Sequence, residues 1–494
     1  MLKEKVKNAI IFLCILNALF LTGRIWFNEK LWSSDYNFFV FERPSAWFEN
    51  LFSPREEEYS MPKESLSRPR KIVVNSGNEM TVFYNSDPAF LGVNDSLQNI
   101  LVPLLKGNAA EGEPIETGME EWYAALANRS IYAEYTLSYT PELFAQIQGV
   151  QNATVFSSLS AIRDYMIAPD EEGREAFFIR DADETEQGKV LKFILKSEYE
   201  AVYPKDQPAE DELYFFAFDL GLSSASEDDD APEQSVLLSP MVLISANEIS
   251  ASRVYSTNPM ISDDKLDEET VNRILARFGS SARTSRNYTD SDGNQVYIEN
   301  SGTLKLYRDG MIEYTAISSD GGISVSDTPG GSLYTSLNSA IDFVEDVWEG
   351  AIPNESINVC VSGDLSGAQI DNNTYRFTFD YYVAGNPVQT ELSAKGGREE
   401  MKHAVEVVIS NGSILSYRHF VRRFREEGTA HLLPMIDALN NILSQDMETE
   451  NPGRITDMFL SYVEDGSGKE LLPEWCVTFE NTDEVLRYGR EVSP

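Results

Sequence analysis

The hydrophobic pattern of the chain begins with one long apolar run close to the N-terminus. Residues 9–27 contain only Asn17 and Arg24 as strongly polar side chains, and about 19 residues suffice to cross a bilayer as a helix. Three lysines precede the run, and such positive charge stays on the cytoplasmic side of a membrane. The pattern therefore predicts one transmembrane helix with a cytoplasmic N-terminus, and an extracytoplasmic location for the rest of the chain.

A cleaved signal peptide is the alternative explanation of this run. No small-residue cleavage site follows it, and Trp26, Phe27 and Trp32 suit the aromatic belt of a helix that is retained in the membrane. We therefore predict a retained signal-anchor. Asn17 lies in the middle of the run, where its carboxamide would gain by bonding to a partner helix, although one tolerated polar residue is the simpler explanation.

Periodic patterns divide the remaining chain into a stalk, a mixed domain and a repeated unit. Aromatic residues followed by a charged, proline-containing stretch predict the stalk. Alternating strand patterns mixed with helical ones predict an α+β domain, and a helix followed by an antiparallel meander then occurs three times. The predicted parts are a cytoplasmic N-terminus 1–8, a transmembrane helix 9–27, a juxtamembrane stalk 28–70, an α+β domain 71–262, and helix-plus-meander units 263–330, 331–425 and 426–494.

The strands of the repeated units carry two further signals. Tyr375, Phe377 and Phe379 alternate with polar residues, which is typical of an antiparallel strand that is covered on one face. In the first two units, Asp309-Gly310 and Asn411-Gly412 each precede a strand that ends in tyrosine. Asp-Gly and Asn-Gly favour tight hairpins because both tolerate positive φ, so we expect a hairpin at each.

Charge limits the classes of partner. The formal charge is -40, and because the first 30 residues hold five Lys or Arg against two Glu, the rest carries -43. Such a body repels phosphate backbones, so we predict no nucleic-acid binding. With 42% hydrophobic and 24% charged residues, the composition is nevertheless that of a folded globular protein.

Motifs for metal, nucleotide or catalytic chemistry are incomplete. His403, His419 and His431 lack the spacing of a zinc motif. The stretch 288–299 resembles a calcium loop but has tyrosine in place of the first ligand, so a hairpin is favoured. Residues 466–469 contain a phosphate-loop fragment without the rest of the motif, which predicts a turn. We predict no enzyme activity, no cofactor and no metal.

The two cysteines of the body allow two interpretations. Cys360 and Cys476 either form one disulfide or remain two small, buried thiols. Spacing alone does not decide between them, and the buried-thiol interpretation is favoured.

One segment departs from the acidic background and is a candidate for partner binding. Arginine and aromatic residues together are enriched in protein interfaces. The alternative is that these arginines pair with nearby acids inside the fold, and the sequence favours neither. The candidate residues are Arg418, Phe420, Arg422, Arg423 and Arg425.

These features together resemble the YycH/YycI family of Gram-positive bacteria, and the YycH branch in particular. The residues that carry the resemblance are IWFNEKLW at the exit from the membrane, TLKLYRDGMIEY, and FTFDYYVAGNPV followed by AVEVVISNGSILSY. The resemblance implies a non-enzymatic protein that modulates the membrane sensor histidine kinase of a cell-wall two-component system. It also implies transmembrane contacts with that kinase and a YycI-like partner protein, and it carries over no catalytic residue.

We therefore predict a membrane-anchored extracytoplasmic regulator. Two alternatives belong to other classes: a cell-wall enzyme with paired carboxylates about 5 to 10 Å apart in a cleft, and a wall-binding scaffold.

Overall fold

A computed structural model of the chain describes the folded body. The predicted cytoplasmic N-terminus, the transmembrane helix and residues 28–59 of the predicted stalk lie outside the described residues. The last part of the predicted stalk, 60–70, is described; it contains the helix Met61–Ser67, whose Pro62 and Leu66 are buried. Among the helices of the described part, none has both the length and the apolar character that a membrane crossing needs. The described residues are 60–489 except 78, 86, 183–187, 200–212, 223–237, 248, 284, 320, 326–330, 395–397, 445–452, 469, 481 and 483–484.

Seven helices occur within these residues, and three of them begin at a capping side chain. Thr140, Asp267 and Ser332 each accept a hydrogen bond from a backbone amide of the first turn, which satisfies a group that the helix leaves unpaired. The helices are α1 (Met61–Ser67), α2 (Phe90–Leu105), α3 (Met119–Ala127), α4 (Pro141–Ile147), α5 (Glu268–Arg277), α6 (Leu333–Ala351) and α7 (Met435–Leu443).

The strands are mostly short. They are β1 (Lys71–Asn75), β2 (Met80–Tyr84), β3 (Ile115–Thr117), β4 (Ser130–Tyr139), β5 (Ile162–Pro169), β6 (Glu175–Arg180), β7 (Val190–Ile194), β8 (Tyr214–Phe216), β9 (Leu243–Ser245), β10 (Ile249–Thr257), β11 (Ile261–Ser262), β12 (Lys265–Leu266), β13 (Arg286–Thr289), β14 (Gln295–Ile298), β15 (Gly302–Leu306), β16 (Met311–Ala316), β17 (Ile323–Ser324), β18 (Val359–Ser362), β19 (Gln369–Asp371), β20 (Thr374–Val383), β21 (Asn386–Thr390), β22 (Val405–Ser410), β23 (Ser413–Phe420), β24 (Arg423–Leu432), β25 (Ile455–Glu464), β26 (Glu470–Leu471), β27 (Glu474–Phe479) and β28 (Leu486–Tyr488).

Two large sheets organise these strands. The first sheet has the order β2-β1-β4-β5-β6-β7-β3 and is antiparallel. The second, called the large sheet below, has the order β13-β14-β15-β16-β23-β22-β20-β21-β25-β27-β28, with β17 beside β23 and with β18 and β19 beside β20. Its strands are antiparallel except at the β21 to β25 pair. A three-stranded sheet, β24-β10-β26, and the pairs β8-β9 and β11-β12 complete the described strands.

Buried apolar side chains pack between these layers in several clusters. One cluster contains side chains from both large sheets and from α2, α5 and α6, including Leu101, Ile274 and Val344. A second cluster covers the opposite face of the first sheet, where Trp122 of α3 lies against Tyr132 of β4. The first sheet is therefore buried on both faces, which explains why several of its strands read as near-continuous hydrophobic runs.

The sequence patterns located most elements but missed some. The predicted helix at 336–350 is α6, and the alternation of Tyr375, Phe377 and Phe379 faces the core as expected. In contrast, α4, β5 and β10 were not predicted, and α2 begins at Phe90 rather than Ser96. The earlier start is explained by Phe90, which is fully buried and offsets the low helix propensity of the glycine that follows two residues later.

The two hairpins predicted from Asp-Gly and Asn-Gly are present. Asn411 and Gly412 both have positive φ and join β22 to β23, and Gly310 has positive φ between β15 and β16. The outgoing strands of these hairpins, β16 and β23, are neighbours, and their tyrosines Tyr314 and Tyr417 are paired in register. The first two predicted units thus form one sheet through a contact between equivalent strands.

The large sheet contains strands from all three predicted helix-plus-meander units. The described chain is therefore a mixed structure of helices and mainly antiparallel strands. The exact unit boundaries at 330 and 425 stay predictions.

Candidate functional site

The arginine segment lies at a corner where the chain leaves one sheet for another. Strand β23 ends in the large sheet at Phe420, and β24 begins in the three-stranded sheet at Arg423. Arg418 therefore belongs to one sheet, Arg423 and Arg425 belong to the other, and Arg422 occupies the corner between them.

Arg422 is an internal residue. Its side chain is 3% exposed and lies 3.7 Å from the carboxylate of Glu464, which is 1% exposed. Its Nη1 donates to the carbonyl oxygens of Asp309 (2.8 Å) and Val421 (2.9 Å), and its guanidinium stacks on the ring of Phe420. Burial lowers the pKa of Arg422 more than the neighbouring carboxylate raises it. Arg422 and Phe420 thus hold the corner together from inside.

Buried hydrogen bonds continue from this corner into the core. Tyr381 Oη donates to the carbonyl oxygen of Phe420 (3.2 Å), accepts from the amide of Arg422 (3.1 Å) and lies 2.9 Å from His419 Nε2. The other ring nitrogen of His419 is 2.8 Å from the hydroxyl of Tyr417. Burial lowers the pKa of His419 to about 3, so the imidazole is neutral and serves as a core hydrogen-bonding group.

The other arginines of the segment all have acidic partners within the fold. Arg418 contacts Glu406 at 2.9 Å and is largely buried. Arg423 pairs with Glu355, and Arg425 pairs with Glu427 at 2.5 Å. Only Arg423 and Arg425 are substantially exposed, so they are the members of the segment that a partner can reach. Partner binding by this segment stays a prediction.

Two other predicted site features can be located. Cys360 in β18 and Cys476 in β27 are free thiols. Burial raises the pKa of each thiol to about 12, which favours the unreactive, protonated form. Asn17, the predicted intramembrane contact, lies outside the described residues.

The most extensive charged cluster was not predicted. Arg70 Nε donates to Glu134 Oε1 (2.8 Å), and other guanidinium nitrogens of Arg70 bond to Glu134 and to Asp457. Lys71 Nζ lies 3.1 Å from Glu134. We call these four residues, Arg70, Lys71, Glu134 and Asp457, the ionic junction. It joins the end of the predicted stalk to β4 of the first sheet and β25 of the large sheet.

The charges of the ionic junction stabilise one another. Burial acts to raise the pKa of Glu134, but the attraction of Arg70, Lys71 and Arg163 prevails and lowers it far below the usual value. The pKa of Asp457 is also lowered, since Arg70 and Lys71 outweigh the effect of burial. Glu134 and Asp457 are therefore ionised at neutral pH beside the charged guanidinium of Arg70, whose pKa is raised.

Paired carboxylates of the kind that a glycosidase uses are found beside the junction, but their surroundings differ from those of a catalytic site. Tyr132 Oη lies 3.1 Å from Glu134 and 3.0 Å from Asp164 and can donate its one hydrogen to either, so these carboxylates are close neighbours. Both are buried rather than in a cleft, and Arg180 makes two hydrogen bonds to Asp164. A catalytic acid needs a raised pKa, whereas that of Glu134 is lowered.

A serine, a histidine and an aspartate also meet on the large sheet. His403 Nδ1 lies 2.9 Å from Asp380 Oδ2 and 3.2 Å from Ser362 Oγ. In a catalytic triad the serine and the carboxylate occupy different ring nitrogens, so that the imidazole can move a proton between them. Here both contact the same nitrogen, and the arrangement is a surface hydrogen-bond cluster. Asp380 raises the pKa of His403 in spite of its partial burial.

Metal ligands are likewise not gathered into a site within the described residues, where no group of three or more His, Cys, Asp or Glu is suited to hold an ion. The calcium-like stretch is the hairpin between β13 and β14, and its Asp290 accepts hydrogen bonds from the turn itself, including both the backbone and the side-chain amide of Asn294.

Comparison with known proteins gives one structural match. No protein-family model and no curated protein matches the sequence. The crystal structure of YycH from Bacillus subtilis matches the fold with a TM-score of 0.50 and 11% sequence identity. The chain has a YycH-like fold. The match covers 87% of this chain and 98% of YycH, so it includes the arrangement of the whole body rather than one sheet.

Proposed function

We propose that this protein is a membrane-anchored regulator of the sensor histidine kinase in a cell-wall two-component system. The observation that carries the proposal is the YycH-like fold, which extends over 87% of the chain and was anticipated from the sequence by resemblance to the YycH/YycI family. Among the described residues, the neighbouring carboxylates Glu134 and Asp164 are buried and bonded to arginines, and they are therefore not the accessible pair that the wall-hydrolase alternative requires.

The proposed arrangement has three parts. The N-terminal helix crosses the membrane and contacts the kinase helices, and the body lies outside the cytoplasm with a YycI-like protein as a further partner. Binding by the body favours one arrangement of the membrane helices over another, which is a population shift. The acidic surface, with its formal charge of -43 beyond residue 30, suits protein or cationic partners rather than nucleic acid.

Deletion and helix exchange test this proposal in the native host. Removal of the protein is expected to change transcription from the promoters that the cognate response regulator controls. Exchange of residues 9–27 for an unrelated transmembrane span is expected to reproduce much of that change, because it preserves the anchor and removes the helix contacts. Membrane cross-linking of the full chain to the kinase reports the contact directly.

The outcomes separate the competing functions. Unchanged transcription in the deletion strain, together with no cross-link to the kinase, would refute the regulator. If the protein with an unrelated transmembrane span fully restores transcription in the deletion strain, the protein is still a regulator, but its own helix does not carry the signal. Strong sacculus binding without any transcriptional effect would instead favour the wall scaffold.

A further inference from the structure

The last residues of the predicted stalk, which are the first described residues, contact widely separated parts of the fold. We call residues 60–71 the entry segment; it consists of α1, the ionic-junction residue Arg70 and the start of β1. On one side, Ser60 Oγ donates to Glu345 (2.5 Å) and Lys63 Nζ to Asp342 (2.6 Å), both on α6. The first residues of the entry segment therefore contact α6, a helix that packs on the large sheet.

Two more hydrogen bonds tie the end of α1 to the first sheet and to the residue that follows α4. Tyr139 Oη donates to the carbonyl oxygen of Leu66 (3.2 Å), and Gln148 Nε2 donates to that of Ser67 (3.1 Å). Immediately afterwards, Arg70 bonds to Glu134 in β4 and to Asp457 in β25. One short segment thus contacts α6, the first sheet and the C-terminal part of the large sheet.

The two ends of the entry segment are held with different strength. Lys63 and Asp342 are 44% and 62% exposed, and ion pairs this accessible to water contribute little. Glu134 and Asp457 lie against Arg70 with side chains only 7% and 14% exposed, and the loss of either carboxylate would leave a largely enclosed positive charge without its partner. Between these ends, Pro62 and Leu66 of α1 are buried, so α1 packs on the body. Because Arg70 bonds to both β4 and β25, a rearrangement of these strands would move Arg70 and the end of α1 next to it.

We propose that the entry segment is the coupling element between the folded body and the preceding chain, and that the ionic junction makes the position of α1 depend on how β4 and β25 are arranged. The inference rests on the proposed function for its biological consequence, since it explains how a partner on the body would alter the membrane helix. The dependence of α1 on Asp457 is a property of the body alone and can be measured without a kinase.

Hydrogen exchange on the full-length protein in lipid nanodiscs tests whether the stability of α1 depends on Asp457. Asp457→Asn removes one charge of the junction, and Asp437→Asn makes the same chemical change at an exposed position of α7. Amides of α1 are expected to exchange about tenfold faster in Asp457→Asn and at the wild-type rate in Asp437→Asn. Unchanged exchange in a folded Asp457→Asn protein would overturn the proposal.

Transcription in the native host tests the coupling. Asp457→Asn is expected to shift kinase-dependent transcription toward the level of the deletion strain while cross-linking to the kinase persists. Faster exchange in α1 with wild-type transcription would refute coupling but leave the regulator intact, whereas a deletion strain without phenotype would refute the regulator itself. Cooperative thermal melting verifies folding, and Arg70→Lys, which keeps the charge but loses the forked geometry, replaces Asp457→Asn if that variant does not fold.

Discussion

The corner residue Arg422 provides a sharp test of whether the arginine segment acts in folding or in binding. At 3.7 Å and an effective dielectric constant of about 20, its attraction to Glu464 is about 4 kcal/mol. The pair is nevertheless incompletely satisfied, because Arg422 Nε and Glu464 Oε2 have no hydrogen-bond partner in the described structure. We therefore expect Arg422→Met, which leaves a buried carboxylate, to lower the free energy of unfolding by about 3 to 5 kcal/mol.

A double variant separates the cost of an unpaired charge from the value of the pair. Arg422→Met with Glu464→Gln removes both charges, and the glutamine oxygen can still accept from the amide of Gly466, as Glu464 does at 2.8 Å. The double variant is expected to lie within about 2 kcal/mol of wild type, so that the two changes are far from additive.

Urea unfolding at pH 7, followed by tryptophan fluorescence, measures these differences. Arg425→Met is the matched control, since it makes the same change at a side chain that is 71% exposed, and its effect should be below about 0.5 kcal/mol. If the double variant loses as much unfolding free energy as the two single variants together, the two charges do not depend on each other. That result would refute a buried Arg422–Glu464 pair as the source of the loss. Stable Arg422→Met protein that fails to bind a partner would refute the internal role of Arg422.

Three further predictions concern ionisable groups. The raised pKa of His403 means that its pairing with Asp380 stabilises the fold below about pH 6.5 and loses effect at higher pH. Wild-type and His403→Gln melting temperatures should therefore converge between pH 6 and 9, and a constant difference would contradict this. Glu134 has a lowered pKa, so its contribution is present above about pH 4.5 and is lost on acidification. The gap in melting temperature between wild type and Glu134→Gln should narrow below that pH, and a gap that widens would count against the junction. The raised thiol pKa of half-buried Cys360 and of buried Cys476 should slow alkylation at pH 8 at least about tenfold relative to the unfolded chain, as mass spectrometry of labelled peptides would reveal; equal rates in the folded and unfolded protein would contradict this.

Local signals were sufficient for much of the fold. Asn411 and Gly412 form the predicted hairpin because positive φ is a property of those residues, and Tyr375 to Phe379 face the core because side chains alternate along any strand. The strand β10 was missed because its sequence, ISASRVYST, has little apolar alternation. Its extended form depends on pairing with β24 and β26, which are distant in sequence.

The candidate site was harder to predict, because burial of charge is a tertiary property. Arg422 and Arg423 are adjacent and chemically identical, yet one is enclosed with Glu464 and the other pairs with Glu355 at the surface. The ionic junction was missed for the same reason. The partners of Arg70 lie 64 and 387 positions further along the chain, and no local pattern connects them.

The sequence by itself determined the alternation of helices and strands, the sites of tight turns and the strongly negative charge, since each follows from residue types and spacings of a few positions. It also supplied the predicted membrane helix, which lies outside the described residues. Only the tertiary structure decided which charges are buried, because desolvation depends on what the whole chain places around a side chain. In the tertiary structure Arg422 is enclosed with Glu464, and Arg70, where the described body begins, joins Glu134 and Asp457.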